Sequence, residues 1–256
     1  MNTRFRPAPF KSLNARAALH FFIVPCLILA VLANVSAQQK VSRHFAAGKD
    51  VRLELKNLSG TITVESWARD EIKITAMMDS PAAHFNPRQT ETGLVIDIVG
   101  DNRGHEVGDV NFRIQVPARS SVDLDTRRGQ ITVTNISGEL VRAHILTEGD
   151  IELNGVSATR VFASNMIGNI YFDGQFTSGG TYEFKAGKGD ITLRIPATCG
   201  FRVVATAPGR PIEMGEFAND GLKKTSEGHR VIGDVGDGRS SVTVTNYHGG
   251  ISFVRR

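Results

Sequence analysis

The residues best suited to chemistry are three carboxylates that follow a repeated glycine: Asp150 and Glu152 after Gly149, and Asp190 after Gly189. Cleavage of a polysaccharide needs two carboxyl groups on one face, one to give a proton and one to act as base or nucleophile. If neighbouring repeats stack, Asp150 approaches the face that carries Asp190, and this trio is the nearest approach to such a pair. A second group lies in Gly233-Asp234-Val235-Gly236-Asp237-Gly238, where two aspartates in a glycine-rich loop offer the oxygen ligands that Ca²⁺ prefers. That loop lacks the full EF-hand spacing and occurs once, so it reads as a plain turn. His44, His84, His105, His144, His229 and His248 are scattered without metal-ligand spacing and read as loop or wet-face residues. His105-Glu106 with Asp109 reads as solvated loop charge. There is no H-E-x-x-H, no G-x-S-x-G and no P-loop. No catalytic, cofactor-binding or metal-ligating residue is therefore assigned, no cofactor is expected, and the chain is not read as an enzyme.

The elements that must position these residues come from one cassette, apolar-x-apolar-x4-Gly-x-Ile-x-apolar. It appears as Leu53, Leu55, Gly60, Ile62, Val64 and again as Val122, Leu124, Gly129, Ile131, Val133. Further copies are Val161, Ala163, Gly168, Ile170, Phe172, then Tyr182, Phe184, Gly189, Ile191, Leu193, and finally Val242, Val244, Gly249, Ile251, Phe253. Val141, Ala143, Gly149, Ile151, Leu153 carries one extra residue, and Phe201, Val203, Gly209, Ile212 is shifted. Gly129, Gly149, Gly168, Gly189 and Gly209 are 20, 19, 21 and 20 residues apart, a period that marks a repeat architecture. Alternation of apolar and polar residues within each half-cassette gives strands with one buried and one wet face. The glycine between them suits a corner, not a phosphate cradle, since neither a lysine nor a helix start accompanies it.

The predicted fold is all-β, a β-solenoid or β-helix-like stack of two-strand repeats of about 20 residues. A twisted antiparallel β-sandwich is the alternative. Like residues form columns, Ile131, Ile151, Ile170 and Ile191 in one and Val133, Leu153, Phe172 and Leu193 in the next. Five regular coils at about 4.8 Å per rung make a rod about 25 Å long. The wet faces hold Thr132, Thr134, Glu152, Asn154, Thr192, Arg194, Thr243 and Thr245, which suit either plain solvation or binding of an extended ligand. No helix is expected after residue 37.

Residues 1–37 form a separate segment. Arg4, Arg6, Lys11 and Arg16 precede an apolar run from Ala17 to Ala33, and Val35-Ser36-Ala37 follows as a small-residue exit. This reads as a secretory signal peptide cleaved after Ala37, with an uncleaved anchor as the competing reading. The whole chain has 30 Lys+Arg against 26 Asp+Glu; the leader holds four basic and no acidic residues, so the remaining 219 residues balance at 26 against 26. The basic excess belongs to the leader, and no Lys/Arg run with interleaved aromatics points to nucleic acid. Once Cys26 leaves with the leader Cys199 is alone, which excludes an internal disulfide and fits a buried apolar role beside Phe201. Trp67, the single tryptophan, reads as core packing or an end cap. The organisation is thus 1–37 leader, 38–120 an N-terminal strand region of the same domain, and 121–256 the regular repeats.

The run Leu53-Glu-Leu-Lys-Asn-Leu-Ser-Gly-Thr-Ile-Thr-Val-Glu-Ser-Trp67, with Val116-Pro117 and the Gly-x-Ile-x-Val/Leu units to residue 193, resembles an exported bacterial family of unknown function labelled putative adhesin. The resemblance covers roughly residues 45–256 and implies a cell-envelope or surface location and a binding or structural role. It supplies no catalytic residues. A glycan or a protein at the cell surface is the expected partner. A polysaccharide-acting β-helix enzyme and an envelope scaffold assembling through the edge strand Ile251 to Val254 are the alternatives.

Overall fold

The computed structural model describes residues 38–219 and 221–256. The expected leader lies outside the described residues. Each cassette folds as one coil, a strand on either side of its glycine. Arg52–Asn57 (β2) and Ile62–Trp67 (β3) form the first coil, and Ser121–Arg128 (β8) and Ile131–Thr134 (β9) the second. Leu140–Glu148 (β10) with Ile151–Val156 (β11), Arg160–Ile167 (β12) with Ile170–Gly174 (β13), and Thr181–Lys188 (β14) with Ile191–Ile195 (β15) follow. Ser240–Asn246 (β19) and Ile251–Arg255 (β20) make the last full coil. First strands stack in one sheet and second strands in the other, each in parallel register with the coil before it. The stack is therefore a solenoid, not an antiparallel sandwich.

The expected columns are present and longer than the regular repeats alone. Ile62, Ile131, Ile151, Ile170, Ile191 and Ile251 sit side by side across the second sheet. Leu53, Val122, Val141, Val161, Tyr182 and Val242 do so across the first. All of these are at most 1 % exposed, and full burial of one such side chain is worth about 1.5–3 kcal/mol. Both columns point into one shared core between the sheets.

The order of coils departs from the sequence period at both ends. The rung after β14 and β15 is not the shifted copy at Gly209 but β19 and β20. Phe201–Thr206 (β16) lies outside β19, and Glu213 bridges to Ser252 of β20, so the shifted copy caps the stack one place further out. At the other end β2 and β3 pack directly on β8 and β9. Gly93–Asp97 (β6) and Val110–Pro117 (β7) form a coil outside them. Antiparallel strands then close each end. Glu71–Met78 (β4) pairs with β7 and Gln39–Ala46 (β1) with β4, while Arg88–Gln89 (β5) pairs with β6. At the far end Arg230–Val235 (β18) pairs with β16, and Lys223–Thr225 (β17) with β18. The first third is thus a variant of the same stack with an antiparallel cap. Among the described residues a single helical turn, Ile98–Asp101 (α1), and short 3₁₀ turns at Gly215–Asn219 and Ser226–Gly228 are the exceptions to the expected absence of helix. Among the described residues no helix is long and apolar enough to cross a membrane.

Candidate functional site

The corner between the sheets is built almost entirely of backbone. Gly60, Gly129, Gly149, Gly168, Gly189 and Gly249 stack in one line, and a Cβ on each of the last five would fall on the carbonyl oxygen of the glycine one rung before. Side chains are excluded by contact, so the corner is a groove with a glycine floor. Three of the floor amides are already taken by the backbone. Gly129, Gly149 and Gly168 donate to the carbonyls of Glu148, Ile167 and Lys188 in the next coil, at 3.0, 2.8 and 2.8 Å.

One wall is a ladder of side chains that follow the glycines. Asp150 Oδ1 accepts from the Asn169 amide at 2.6 Å, Asn169 Oδ1 from Asp190 at 2.9 Å, and Asp190 Oδ1 from Gly250 at 2.8 Å. Each side chain satisfies a backbone N–H of the next rung and leaves its second polar atom facing solvent. Asn111 Oδ1 plays the same part for Thr61 at 2.9 Å.

The opposite wall holds the residues just before the glycines. Ser59, buried to 6 % exposure, donates to Asp109 and accepts from Arg128 Nε at 2.9 Å, which fixes the guanidinium over the groove. Among the described residues Glu148 has no ion-pair partner. The extra residue of the 141–153 repeat creates a register break between Ile145 and Glu148, which pushes Leu146 outward to 54 % exposure. Beside it on the next coil stand Met166 at 60 % and Ile167 at 48 %. The groove between the walls has a volume of about 580 Å³ over Gly60 to Gly168 and continues into about 250 Å³ beneath Leu58, Arg127 and Met166.

This geometry reassigns the carboxylates read from sequence. Asp150 and Asp190 do not lie on adjacent coils: Asn169 stands between them, two rungs or about 10 Å end to end. Glu152 points from the face of the second sheet between Thr132 and Tyr171, away from both. The trio therefore forms no acid–base pair, and Asp150 has a structural task. Asp150→Asn keeps the Oδ1 acceptor, and its melting temperature is expected within about 1 °C of wild type. Asp150→Ala orphans the Asn169 amide and should cost about 1 kcal/mol. Thermal denaturation of both variants checks this, and equal losses would remove the ladder from the account.

The remaining candidates are held by local partners. Asp234 meets Arg202 at 2.7 and 3.1 Å, and that hydrogen-bonded guanidinium holds its carboxyl pKa below the ordinary aspartate range. Asp237 faces Arg239 at 3.2 Å. The two carboxylates of the glycine-rich loop are thus each neutralised by an arginine. His144 Nδ1 lies 2.7 Å from Ser164 Oγ on the wet face of the first sheet, and His229 Nδ1 2.9 Å from the Ala207 carbonyl. His44 stands 3.6 Å from Glu71. His84 and His105 border a shallow depression with Asp101, whose carboxylate is taken by Arg88 at 2.7 Å. Among the described residues no three His, Cys, Asp or Glu converge as a metal site. Glu106 pairs with Arg127 at 3.0 Å, and Asp109 joins the Ser59 network. Cys199 is buried against the Phe176 carbonyl, and burial raises its thiol pKa. Trp67 closes the β3 end, donating to Glu71 O at 2.8 Å under the Arg69 guanidinium. The polar residues Thr132, Thr134, Glu152, Asn154, Thr192 and Arg194 share one face, but Thr243 and Thr245 lie on the other sheet. They form no single ladder.

Arg128, Glu148, Ser59 and the apolar edge Leu146, Met166 and Ile167 are absent from the sequence reading. The available signal was the extra residue in the 141–153 repeat, which has to bulge somewhere.

A family model described as Toastrack DUF4097 matches residues 35–253. Among curated proteins nothing matches the chain. Among solved structures, a putative cell adhesion protein of Clostridium sporogenes is similar at 12 % identity, over 86 % of this chain and 100 % of its own, with a TM-score of 0.50. A putative adhesin of Bacteroides fragilis is similar at 10 % identity, over 86 % of this chain and 99 % of its own, with a TM-score of 0.43.

Proposed function

The chain belongs to the Toastrack DUF4097 family, and from that membership we propose that it is an exported, non-catalytic binding module of the cell envelope or surface. Residues 1–37 direct it there and are removed after Ala37; residues 38–256 form the module. Its ligand is a surface glycan lying along the glycine corner.

The observation that carries this reading is the groove itself. Its floor is backbone, so a chain-like ligand can lie close to it. One wall offers planar carboxylates and carboxamides, Asn111, Asp150 and Asn169, each with one polar atom committed to the backbone and the other facing solvent. The other offers Arg128, Glu148 and the aliphatic edge of Ile167 and Met166. Paired planar acceptors and donors suit vicinal hydroxyls, and the aliphatic edge suits the C–H face of a sugar ring. The similar solved protein of Clostridium sporogenes, described as a putative cell adhesion protein, is in keeping with a role in attachment.

Cell fractionation with mass spectrometry of the N-terminus tests export, and a glycan array tests the ligand. Wild type is expected to retain a defined subset of polysaccharides. Glu148→Ala should weaken that binding without changing the melting temperature, and Arg128→Ala should weaken it with a small loss of stability, because it also removes the donor to buried Ser59. One lost charged hydrogen bond is worth about 1.5–3 kcal/mol, or about 10- to 150-fold in affinity. Binding that survives both substitutions would remove the groove from the proposal; an array with no bound glycan would remove the ligand class.

A further inference from the structure

Four strands end the two sheets, and three of them are short or covered. β5 has two residues and β17 three. β20, which the sequence suggests as an assembly edge, is taken by residue 213: the Glu213 amide donates to Ile251 O at 2.9 Å and Phe253 donates to Glu213 O at 2.8 Å. β1 is different. It is eight residues long, pairs among the described residues with β4 alone, and its side chains are exposed or half-buried throughout. A long unpaired strand edge is a template for another strand.

The direction of its free backbone groups follows from one hydrogen bond. Ala47 N donates to Asp70 O at 3.1 Å, and residues 47 and 70 continue the register that pairs Ala46 with Glu71. In an antiparallel ladder hydrogen-bonded pairs alternate, so Phe45, Arg43, Val41 and Gln39 address β4. Lys40, Ser42, His44 and Ala46 then turn their N–H and C=O groups outward. The Ala46 carbonyl is indeed met from that side, by Gln89 Nε2 at 3.1 Å. Lys40, Ser42 and His44 are left with open donors and acceptors at alternate positions.

We infer that β1 pairs with β1 of a second copy of this chain, antiparallel about a two-fold axis through Ser42. That register sets Ser42 opposite Ser42, Lys40 opposite His44 and His44 opposite Lys40. All three outward residues of each chain meet outward residues of the other, giving about six hydrogen bonds. On the core side it places Val41 beside Arg43 and Phe45 beside Gln39. Val41 and Phe45 pack on the core yet stay partly exposed, and the added strand covers them. An axis through Val41 would set His44 opposite residue 38, outside the strand, and so shorten the ladder. Charge selects the Ser42 axis over the other neighbour. An axis through Arg43 would bring two arginines face to face, and like charges directly opposite are destabilising. An axis through Ser42 separates both Arg43 side chains and both Lys40 side chains, and sets Lys40 against His44, whose ring stands by Glu71. Pairing of a surface with itself closes the assembly as a dimer rather than a fibre.

The experiment is site-specific crosslinking of the full chain expressed with its own leader, with the N-terminus recorded by mass spectrometry. Opposed residues of a hydrogen-bonded pair have Cα atoms about 5.5 Å apart, within disulfide range. Residue 40 of one copy is about four residues, or 14 Å, from residue 40 of the other. Ser42→Cys is therefore expected to oxidise to a covalent dimer, and Lys40→Cys to remain uncrosslinked under the same conditions. Sedimentation velocity of the parent chain should show a concentration-dependent dimer. Ser42→Pro removes only an outward amide on an edge strand, where proline is tolerated, and should raise the dissociation constant by at least 100-fold. If Ser42→Pro fails to fold, the crosslinking pair still decides. Equal crosslinking at 40 and 42, none at 42, or a parent chain that stays monomeric at millimolar concentration would each overturn the inference.

Discussion

Gly149→Ala is expected to destabilise the fold by more than about 4 kcal/mol. The glycine sits at φ +144°, where an L side chain is strained, and the new Cβ would fall on the Gly129 carbonyl oxygen. Backbone strain of this kind costs about 1–3 kcal/mol. The overlap then adds to it, because the obstructing atom is main chain in a stack that cannot yield at one rung alone. A total above about 4 kcal/mol would consume much of the 5–15 kcal/mol by which domains are stable. The companion substitution is Gly209→Ala. Gly209 belongs to the shifted copy and lies off the column, where a Cβ would meet His248 Cα at 3.3 Å, so a loss of at most about 1 kcal/mol is expected. Urea denaturation of the two variants measures the contrast. Similar losses at both positions would mean that the glycine line does not set the coil spacing.

Phe172→Ala carries the second large effect. Phe172 is fully buried in the column between Leu153 and Leu193. Its ring touches three others, Phe184 at 5.2 Å, Phe176 at 5.5 Å and Tyr182 at 6.4 Å between centroids. Truncation of a buried phenylalanine costs about 3–5 kcal/mol through lost transfer energy and the cavity left behind. Collapse is hindered here because Tyr182 is anchored: its hydroxyl donates to the Ala158 carbonyl at 2.9 Å and accepts from the Thr177 amide at 2.6 Å. Burial also raises the Tyr182 pKa, so the phenol stays neutral in the core. Phe172→Leu, which matches the residues above and below, should recover most of the loss and cost about 1.5 kcal/mol. Phe162→Ala, on the wet face of the same coil, is the control and should change stability little. Chemical denaturation of the three variants gives the ranking, and a Phe172→Ala loss below about 1 kcal/mol would contradict the packed aromatic core.

The coils and columns were legible because period-two alternation and a fixed glycine spacing each admit one reading when repeated. Ile131, Ile151 and Ile170 had to share a column once the coils stacked. The rung order at the ends was not legible. Sequence spacing alone gives Gly209 the fifth place, yet the fit of the corner decides occupancy, and Gly249 fits on Gly189 where the shifted copy does not. The candidate site was hidden for a related reason. Repeats reveal what is common to them, whereas Arg128, Glu148 and Ile167 occupy one equivalent position with three different side chains. The aspartates after the glycines were noticed as acids because nothing in a sequence tells which oxygen is already committed. Their ladder becomes visible only when the amide of the next rung is in place.

The displaced rung has a kinetic consequence. Tyr182 of β14 meets Val242 of β19 across 60 positions of chain, whereas Val161 meets Tyr182 across 21. Closing a loop about three times longer costs roughly 1 kcal/mol more in chain entropy. Pairings of long sequence separation are slow to form because that entropy is lost before the contact rewards it. The rung at β19 and β20 is therefore slower to close than the rungs between β8 and β15.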